Sequence, residues 1–429
     1  MSRAAVDAAQ AAQEIPVCDA DLEEVRRWDR EDPIGHFRER FELPADIVYL
    51  DGNSLGALPV ETHQRLEDVI SRQWGRDLIR SWNVHGWIHA PERVGAKIAR
   101  LIGADGDEVI VADSTSVNLY KLLCGALALR PDRSVVLSEP GNFPTDLYVI
   151  QGAIAGATPA RRLRLEPADR ILEAIDDDTA LVMLTHVHYK TAAVHDMRAI
   201  TERAHECGAL VLWDLSHSAG AVEVDLNGCG VDMAVGCGYK YLNGGPGAPA
   251  YLFLARRHHD SFISPLSGWM GHRAPFDFVD DYAPAPGIRR FLCGTPYMLG
   301  LLALEAGVDL MLECGIAPLV EKSRRLSELF IRLVQRMCPR SSLRLISPAD
   351  PARRGSHVAF AHPDGYAVMQ ALIERGVIGD FRSPDILRFG FAPLYTRYED
   401  VWRAVATLAE VLASECWSDP RYAVRAPVT

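Results

Sequence analysis

The first chemical signal lies in two short stretches and their order. The segment LVLWDLSHSAG runs an apolar strand into Asp214, and His217 follows three residues later. A second apolar run leads to Gly238-Tyr239-Lys240 and then to Gly244-Gly245-Pro246-Gly247. An acid at the C-terminal end of a buried strand lies where open α/β sheets bind ligands. A lysine among apolar and glycine residues sits where lysine is otherwise unfavourable. A lysine amine forms a Schiff base with a carbonyl cofactor, and a carboxylate keeps a pyridine nitrogen protonated so that the ring acts as an electron sink. The pair therefore suits pyridoxal phosphate. Each piece alone has a plainer reading, Asp214 as a cap or turn residue and Lys240 as a solvated loop residue. The ordered set raises the chemistry above those readings. The glycine-rich turn lacks the Gly-Lys-Ser/Thr ending of a nucleotide loop, and Rossmann spacing is absent. His186, His188 and His195 have no cysteine or carboxylate at ligand spacing, so they read as turn and core residues and no metal is expected.

These residues need a sheet to position them. Short apolar runs at Val109–Val111, Ser134–Ser138, Ala180–Leu184, Ala209–Trp213, Val231–Gly236 and Ala250–Leu254 read as strands buried on both faces. Helical patterns at Ser116–Leu129, Asp146–Ala155 and Met197–Cys207 alternate with them, which predicts a mostly parallel sheet wrapped by helices. The last three strands follow one another closely, so part of the sheet is expected to be antiparallel. A long helical pattern over Tyr297–Met337, broken near Gly315–Pro318, opens a second region. Strands near Leu343–Ile346, His357–Phe360 and Ile386–Phe389 follow, with helices at Tyr366–Arg375 and Glu399–Ala413. The expected organisation is α/β, with a large domain over 57–296 and a smaller α+β domain formed by 1–56 and 297–429.

Composition narrows the classes. The chain has 429 residues, 48% hydrophobic and 24% charged, ordinary values for a globular protein. Its net charge of −12 offers no basic tract for a phosphate backbone, so no nucleic-acid partner is expected. No apolar run reaches the roughly 18 residues a membrane helix needs, and the alanine-rich N-terminus, carrying Asp7 and Glu14, does not read as a signal peptide. Nine scattered cysteines, an odd number with no Cys-x-x-Cys pair, read as free thiols in a reducing cytoplasm.

With these residues in view, the sequence resembles the fold-type I pyridoxal-phosphate enzymes of the class V aminotransferase kind, and among them the kynureninases. The resemblance spans nearly the whole chain. It includes YLDGNSLG (Tyr49–Gly56), STSVNLYKLL (Ser114–Leu123), NFPTDLY (Asn142–Tyr148), LTHVHYKT (Leu184–Thr191), GWMGH (Gly268–His272), CGTP (Cys293–Pro296) and LRFGFAPLY (Leu387–Tyr395). It implies that pyridoxal 5′-phosphate is carried on Lys240, with Asp214 at the ring nitrogen and Phe143 stacked on the ring. Thr115 and Ser116, at a helix start, would form the phosphate pocket, with His217 and Tyr239 also reaching the phosphate. Pro144, Thr145, Asp146 and Thr185 would lie beside the cofactor. Trp269 and Thr295 would reach the phosphate across a homodimer interface, so that two chains share each active site. Arg388 would grip the substrate α-carboxylate in bidentate fashion. Trp82, His85, Trp269, Gly294 and Ser54 would line the aryl slot.

The activity so implied is hydrolysis of L-kynurenine to anthranilate and L-alanine, within tryptophan degradation. Lys240 serves as the base, Tyr239 or a nearby group as acid and base at the γ-carbonyl, and Asp214 as the ring anchor. The set Trp82, Gly294 and Thr295 implies a preference for kynurenine over 3-hydroxykynurenine. A cysteine desulfurase or selenocysteine lyase is the alternative on the same fold, and it needs a mobile nucleophilic cysteine. Cys314 and Cys338 sit in helical patterns instead. An aminotransferase, or a non-catalytic module that binds the cofactor, are further alternatives.

Overall fold

Alternation along the strands decides how the central sheet is built. In the computed structural model, which describes residues 21–426, seven strands form it. They are β1 (Val109–Val111), β2 (Val135–Ser138), β3 (Arg162–Leu165), β4 (Thr179–Thr185), β5 (Leu210–Asp214), β6 (Met233–Gly236) and β7 (Tyr251–Leu254). Successive side chains point to opposite faces. Val109, Val111, Leu137, Val182, Leu184, Val211 and Trp213 enter one core, and Ile110, Val136, Leu181, Met183, Leu210 and Leu212 enter another. Both faces are thus covered, which is why these strands read as continuous apolar blocks.

The spatial order is β1-β7-β6-β5-β4-β2-β3. Neighbours from β3 to β6 run parallel, and β7 is antiparallel to both β6 and β1. Of the three closely spaced strands, only β7 reverses; β6 stays parallel to β5. The charged edge strand β3, with half-exposed residues, was not expected, because it presents no apolar run.

Helix α1 (Thr115–Ala128) follows β1 and buries Leu119, Leu122 and Leu123; α2 (Pro144–Ala155) follows β2, and α3 (Met197–Glu206) follows β4. The long helical pattern resolves into α4 (Met298–Cys314) and α5 (Ile316–Met337), separated at Gly315, whose φ of 79° suits glycine. Helix α4 packs Leu301, Leu304 and Val308 into the core of the central sheet.

A second, four-stranded antiparallel sheet has β8 (Arg344–Leu345), β9 (His357–Ala361), β10 (Asp380–Arg382) and β11 (Ile386–Gly390) in the order β8-β9-β11-β10. Its core joins Val358, Phe360, Leu387 and Phe389 with Val401, Val405 and Leu408 of helix α6 (Tyr398–Ser414) and with Val25 and Trp28 of the helix Leu22–Glu31. Val48–Tyr49 pairs in parallel with Val377–Ile378, which fastens the segment before Gly56 to this second unit. The alanine-rich stretch with Asp7 and Glu14, and Cys18, lie outside the described residues. Among the described residues, no helix is long and apolar enough to cross a membrane.

Candidate active site

The parallel strands deliver their polar ends to one place. Thr185 ends β4 and Asp214 ends β5, and the two are register partners. Above them lies a cavity of about 490 Å³, within the range of small-molecule sites. Thr115, Ser116, Phe143, Thr145, Asp146, Thr185, Asp214, His217, Tyr239 and Lys240 all line it, together with Ser114, Tyr189, Ser216, Cys237 and Tyr297.

Lining the cavity is the start of α1. Ser114 caps it by accepting from Val117 N at 3.4 Å, which leaves the hydroxyls of Thr115 and Ser116 and first-turn N–H groups at the rim. Such a helix start attracts an anion. Two buried carboxylates line the cavity as well. Asp214 accepts from Ser216 N at 2.7 Å, and Asp146 accepts from Thr185 Oγ1 at 3.2 Å. Asn142 also accepts from the Thr185 hydroxyl. Burial and Asp214's charge push the Asp146 carboxyl well above the usual carboxylate range, and its Oδ1 is buried without a partner. Burial also raises Asp214, against the lowering effects of Ser216 and Lys240.

Lys240 Nζ stands 3.0 Å from His217 Nε2. It also lies 5.8 Å from the Phe143 ring centroid and 5.9 Å from that of Tyr239. Burial, and then Lys240's charge, drive the His217 imidazole to its neutral form, so Nε2 accepts from the lysine. The contact found for His217 is thus with the lysine. Burial holds the Tyr239 phenol protonated, with Cys237 and Asp214 adding to the effect. The lysine loop is seated by the motif Tyr49–Gly56: Gly56 N donates to Tyr239 O at 2.8 Å, and a Cβ on Gly56 would run into the Lys240 carbonyl.

Other expected residues lie elsewhere in the chain's own fold. Pro144 begins α2 beside the cavity without lining it. Arg388 is buried behind the wall, its Nη1 donating to the Tyr189 carbonyl at 2.5 Å and its Nη2 to Ser54 Oγ at 3.0 Å. Trp82 packs edge-on against Trp87, and His85 Nε2 is 2.7 Å from Asp77. Gly294 and Thr295 line a separate small cleft beside Val111–Asp113. Trp269 lines another with Phe278 and Tyr282. His186 pairs with Ser218, His188 with the Gly141 carbonyl and His195 with Glu139.

Sequence reasoning missed Ser114, Asn142, Ser216 and Tyr297. Ser114 and Ser216 could have been found as the cap position before Thr115 and the N–H donor two residues after Asp214. Tyr297 has no local signal.

The comparisons with known proteins fit this geometry. Residues 319–408 match the family described as the kynureninase C-terminal domain. The chain is 51% identical over 413 residues to a kynureninase of Burkholderia mallei (strain SAVP1), covering 95% of this chain and 99% of the relative. It is 49% identical over 406 residues to a kynureninase of Pseudomonas fluorescens, covering 94% and 98%. Among solved structures it is similar in fold to a cysteine desulfurase from Thermococcus onnurineus NA1, with a TM-score of 0.75 at 18% identity, covering 88% of this chain and 98% of the other. It is also similar to a C-DES mutant with glycine linked covalently to its PLP cofactor, with a TM-score of 0.76 at 18% identity, covering 87% and 99%. These two show the fold-type I architecture. At about half identity over nearly its full length with proteins of that name, the chain belongs to the kynureninase family.

Proposed function

We propose that this protein hydrolyses L-kynurenine to anthranilate and L-alanine, with pyridoxal 5′-phosphate as cofactor. The observation that carries the reading is one cavity holding Lys240, two buried carboxylates and a hydroxyl-lined helix start, in a chain of this family.

The residues present fit the cofactor. An anion-attracting helix start shares the cavity with two carboxylates held above their usual range, one with an unpartnered oxygen. A protonated ring nitrogen supplies the donor that these carboxylates call for. Thr115 and Ser116 would hold the phosphate, Asp214 the ring nitrogen, Phe143 a ring face and Lys240 the carbonyl carbon, with Thr145, Asp146, Thr185 and Tyr239 around them. His217, placed at the lysine, serves the reacting end rather than the phosphate.

When bound, pyridoxal phosphate supplies an electron sink conjugated to the substrate's amino group, which stabilises carbanions that side chains alone cannot. Lys240 moves the proton at Cα, and neutral His217 orients its amine by accepting from Nζ. Tyr239, kept protonated by its burial, donates to the γ-carbonyl oxygen as water adds at Cγ. The Cβ–Cγ bond of the hydrate then breaks, anthranilate leaves, and a proton returned to Cβ completes alanine. Arg388 takes the α-carboxylate, with Ser54 beside it.

Trp82, His85, Trp269, Gly294 and Thr295 do not line the catalytic cavity of their own chain, and we place them at the site of a second copy. Exposed apolar side chains support a homodimer, among them Ile79 at 78%, Phe278 at 76% and Tyr297 at 62%. We further propose units 57–296 and 1–56 with 297–429, α4 being the link packed on the large unit. The protein would act in the cytoplasm, in tryptophan breakdown. A desulfurase reading finds no support in its nucleophile: burial pushes the thiols of Cys314 and Cys338 up to about 11.

Turnover in ¹⁸O-labelled water tests the reading. One labelled oxygen should enter the anthranilate carboxylate. Unlabelled anthranilate, or a keto acid in place of alanine, would refute it.

A further inference from the structure

Strands β10 and β11 bring two cations and one anion together. Asp380 stands directly opposite Arg388 in the antiparallel register, and Arg382, two residues on, shares Asp380's face of the sheet. Asp380 Oδ2 accepts from Arg388 Nη2 and from Arg382 Nη2, each at 2.6 Å, and from Ser54 Oγ at 2.8 Å. Its Oδ1 is buried without a partner. The Arg388 side chain is 1% exposed and the Arg382 side chain 38%. Arg388 also donates to the Tyr189 carbonyl, and Asn53, its amide turned so that the oxygen faces the guanidinium, accepts from Nε at 3.1 Å.

A guanidinium engaged in this way has no open fork. To take a carboxylate with two parallel hydrogen bonds, Nη2 must leave Asp380. Leaving a buried carboxylate without its cation is strongly unfavourable. Arg382 removes that obstacle, because it already holds the same oxygen. Tyr189, whose carbonyl holds Nη1, lines the catalytic cavity, which puts Arg388 at the cavity wall.

We propose that Asp380 is a shared counter-ion which Arg388 hands over to Arg382 when an amino acid's carboxylate arrives, making Arg382 a positioning residue for substrate binding. The inference rests on the reading of Arg388 as the carboxylate anchor. The exchange moves no proton and breaks no covalent bond. The cluster's second carboxyl, Asp51, is held up to about 7 by burial and Asp380's charge, which limits the negative charge an incoming carboxylate meets.

The test uses the cofactor-loaded enzyme and a kynurenine whose γ-carbonyl is replaced by a methylene, which neither water addition nor retro-aldol cleavage can break, together with the primary amide of that compound. Kd is read from the cofactor's absorbance. Arg382→Gln should weaken the carboxylate probe at least tenfold and the amide less than twofold, and Arg382→Lys should stay within threefold of the parent. Adding Asp380→Asn to Arg382→Gln strands no anion, so the carboxylate Kd should return to within threefold of the parent. Asp380→Asn alone should bind that probe at least as tightly as the parent does. A merely loosened fold would neither spare the amide nor be rescued by a second substitution. The handover is overturned if Arg382→Gln leaves the carboxylate Kd unchanged, if both probes weaken alike, if the double variant stays as weak as Arg382→Gln, or if Asp380→Asn alone weakens binding. Arg388→Ala separates the two levels. If it weakens the carboxylate probe while Arg382→Gln does not, only the handover falls. If it leaves that probe unchanged, the anchor reading falls with it.

Discussion

Asp214→Asn is the substitution from which the cofactor assignment can be worked through most fully. The side chain is buried at the end of β5, and the Ser216 N–H at 2.7 Å fixes its orientation. An amide of nearly the same shape can keep that bond through its oxygen, so the fold should persist. What is lost is the negative charge. A charge-assisted hydrogen bond is worth about 1.5–3 kcal/mol, so cofactor affinity should fall roughly 10–150-fold. Turnover should fall further, on the order of 10²–10³ as for other preorganised electrostatic groups, because a neutral ring nitrogen is a poorer electron sink. A second effect has the opposite sign. Asp214's charge raises its neighbour Asp146, so in the variant Asp146 should ionise more readily and recover part of the loss. Asp146→Asn placed on top of Asp214→Asn should therefore cost more than it does in the parent. Absorbance titration with pyridoxal phosphate and steady-state rates with kynurenine measure both quantities. An Asp214→Asn enzyme that binds cofactor and turns over within threefold of the parent would refute the ring-anchor reasoning.

Three further outcomes are expected. Lys240→Ala should abolish turnover while leaving the melting temperature within a few degrees, since the amine gives up one hydrogen bond, to His217, and two long ring contacts; residual activity above a thousandth of the parent would show another base at Cα. Asp51 is held above its unfolded value, so it keeps a proton that the unfolded chain has lost. The stability of the parent should therefore fall as pH rises from about 4 toward 7, and Asp51→Asn should gain in Tm over the parent across that window and level off above it; a constant difference would contradict the raised carboxyl. The ratio of kcat/KM for kynurenine to that for 3-hydroxykynurenine should exceed one by a deficit of roughly 1–3 kcal/mol, and Trp82→His with Thr295→Asn should shift it toward the hydroxylated substrate. An unmoved ratio would remove these positions as selectors.

Legibility in the sequence followed burial. Strands β1, β2 and β4 to β7 could be read because both faces are covered and their inner residues are apolar, and the acid that ends β5 then marked the cavity. Edge strand β3 has one free side and charged residues, so nothing in its pattern separates it from a loop. Arg388 was legible as a candidate anchor, but its engagement was not. Asp380 reaches it across a strand pair, Ser54 and Asn53 come from more than 300 residues away, and no local spacing encodes such contacts. For the same reason the bidentate grip expected of Arg388 is not available while Asp380 holds its Nη2. Trp82, His85, Trp269, Gly294 and Thr295 are tied to the site by resemblance alone; their own chain places them outside the catalytic cavity.

Product analysis tests the central claim most directly. The purified protein, loaded with pyridoxal phosphate, is incubated with L-kynurenine, and anthranilate is followed by fluorescence while alanine is quantified in the same sample. The account predicts equal amounts of the two, formed in step, requiring the cofactor and absent with Lys240→Ala. Kynurenine left intact, or consumed without matching anthranilate and alanine, would contradict it.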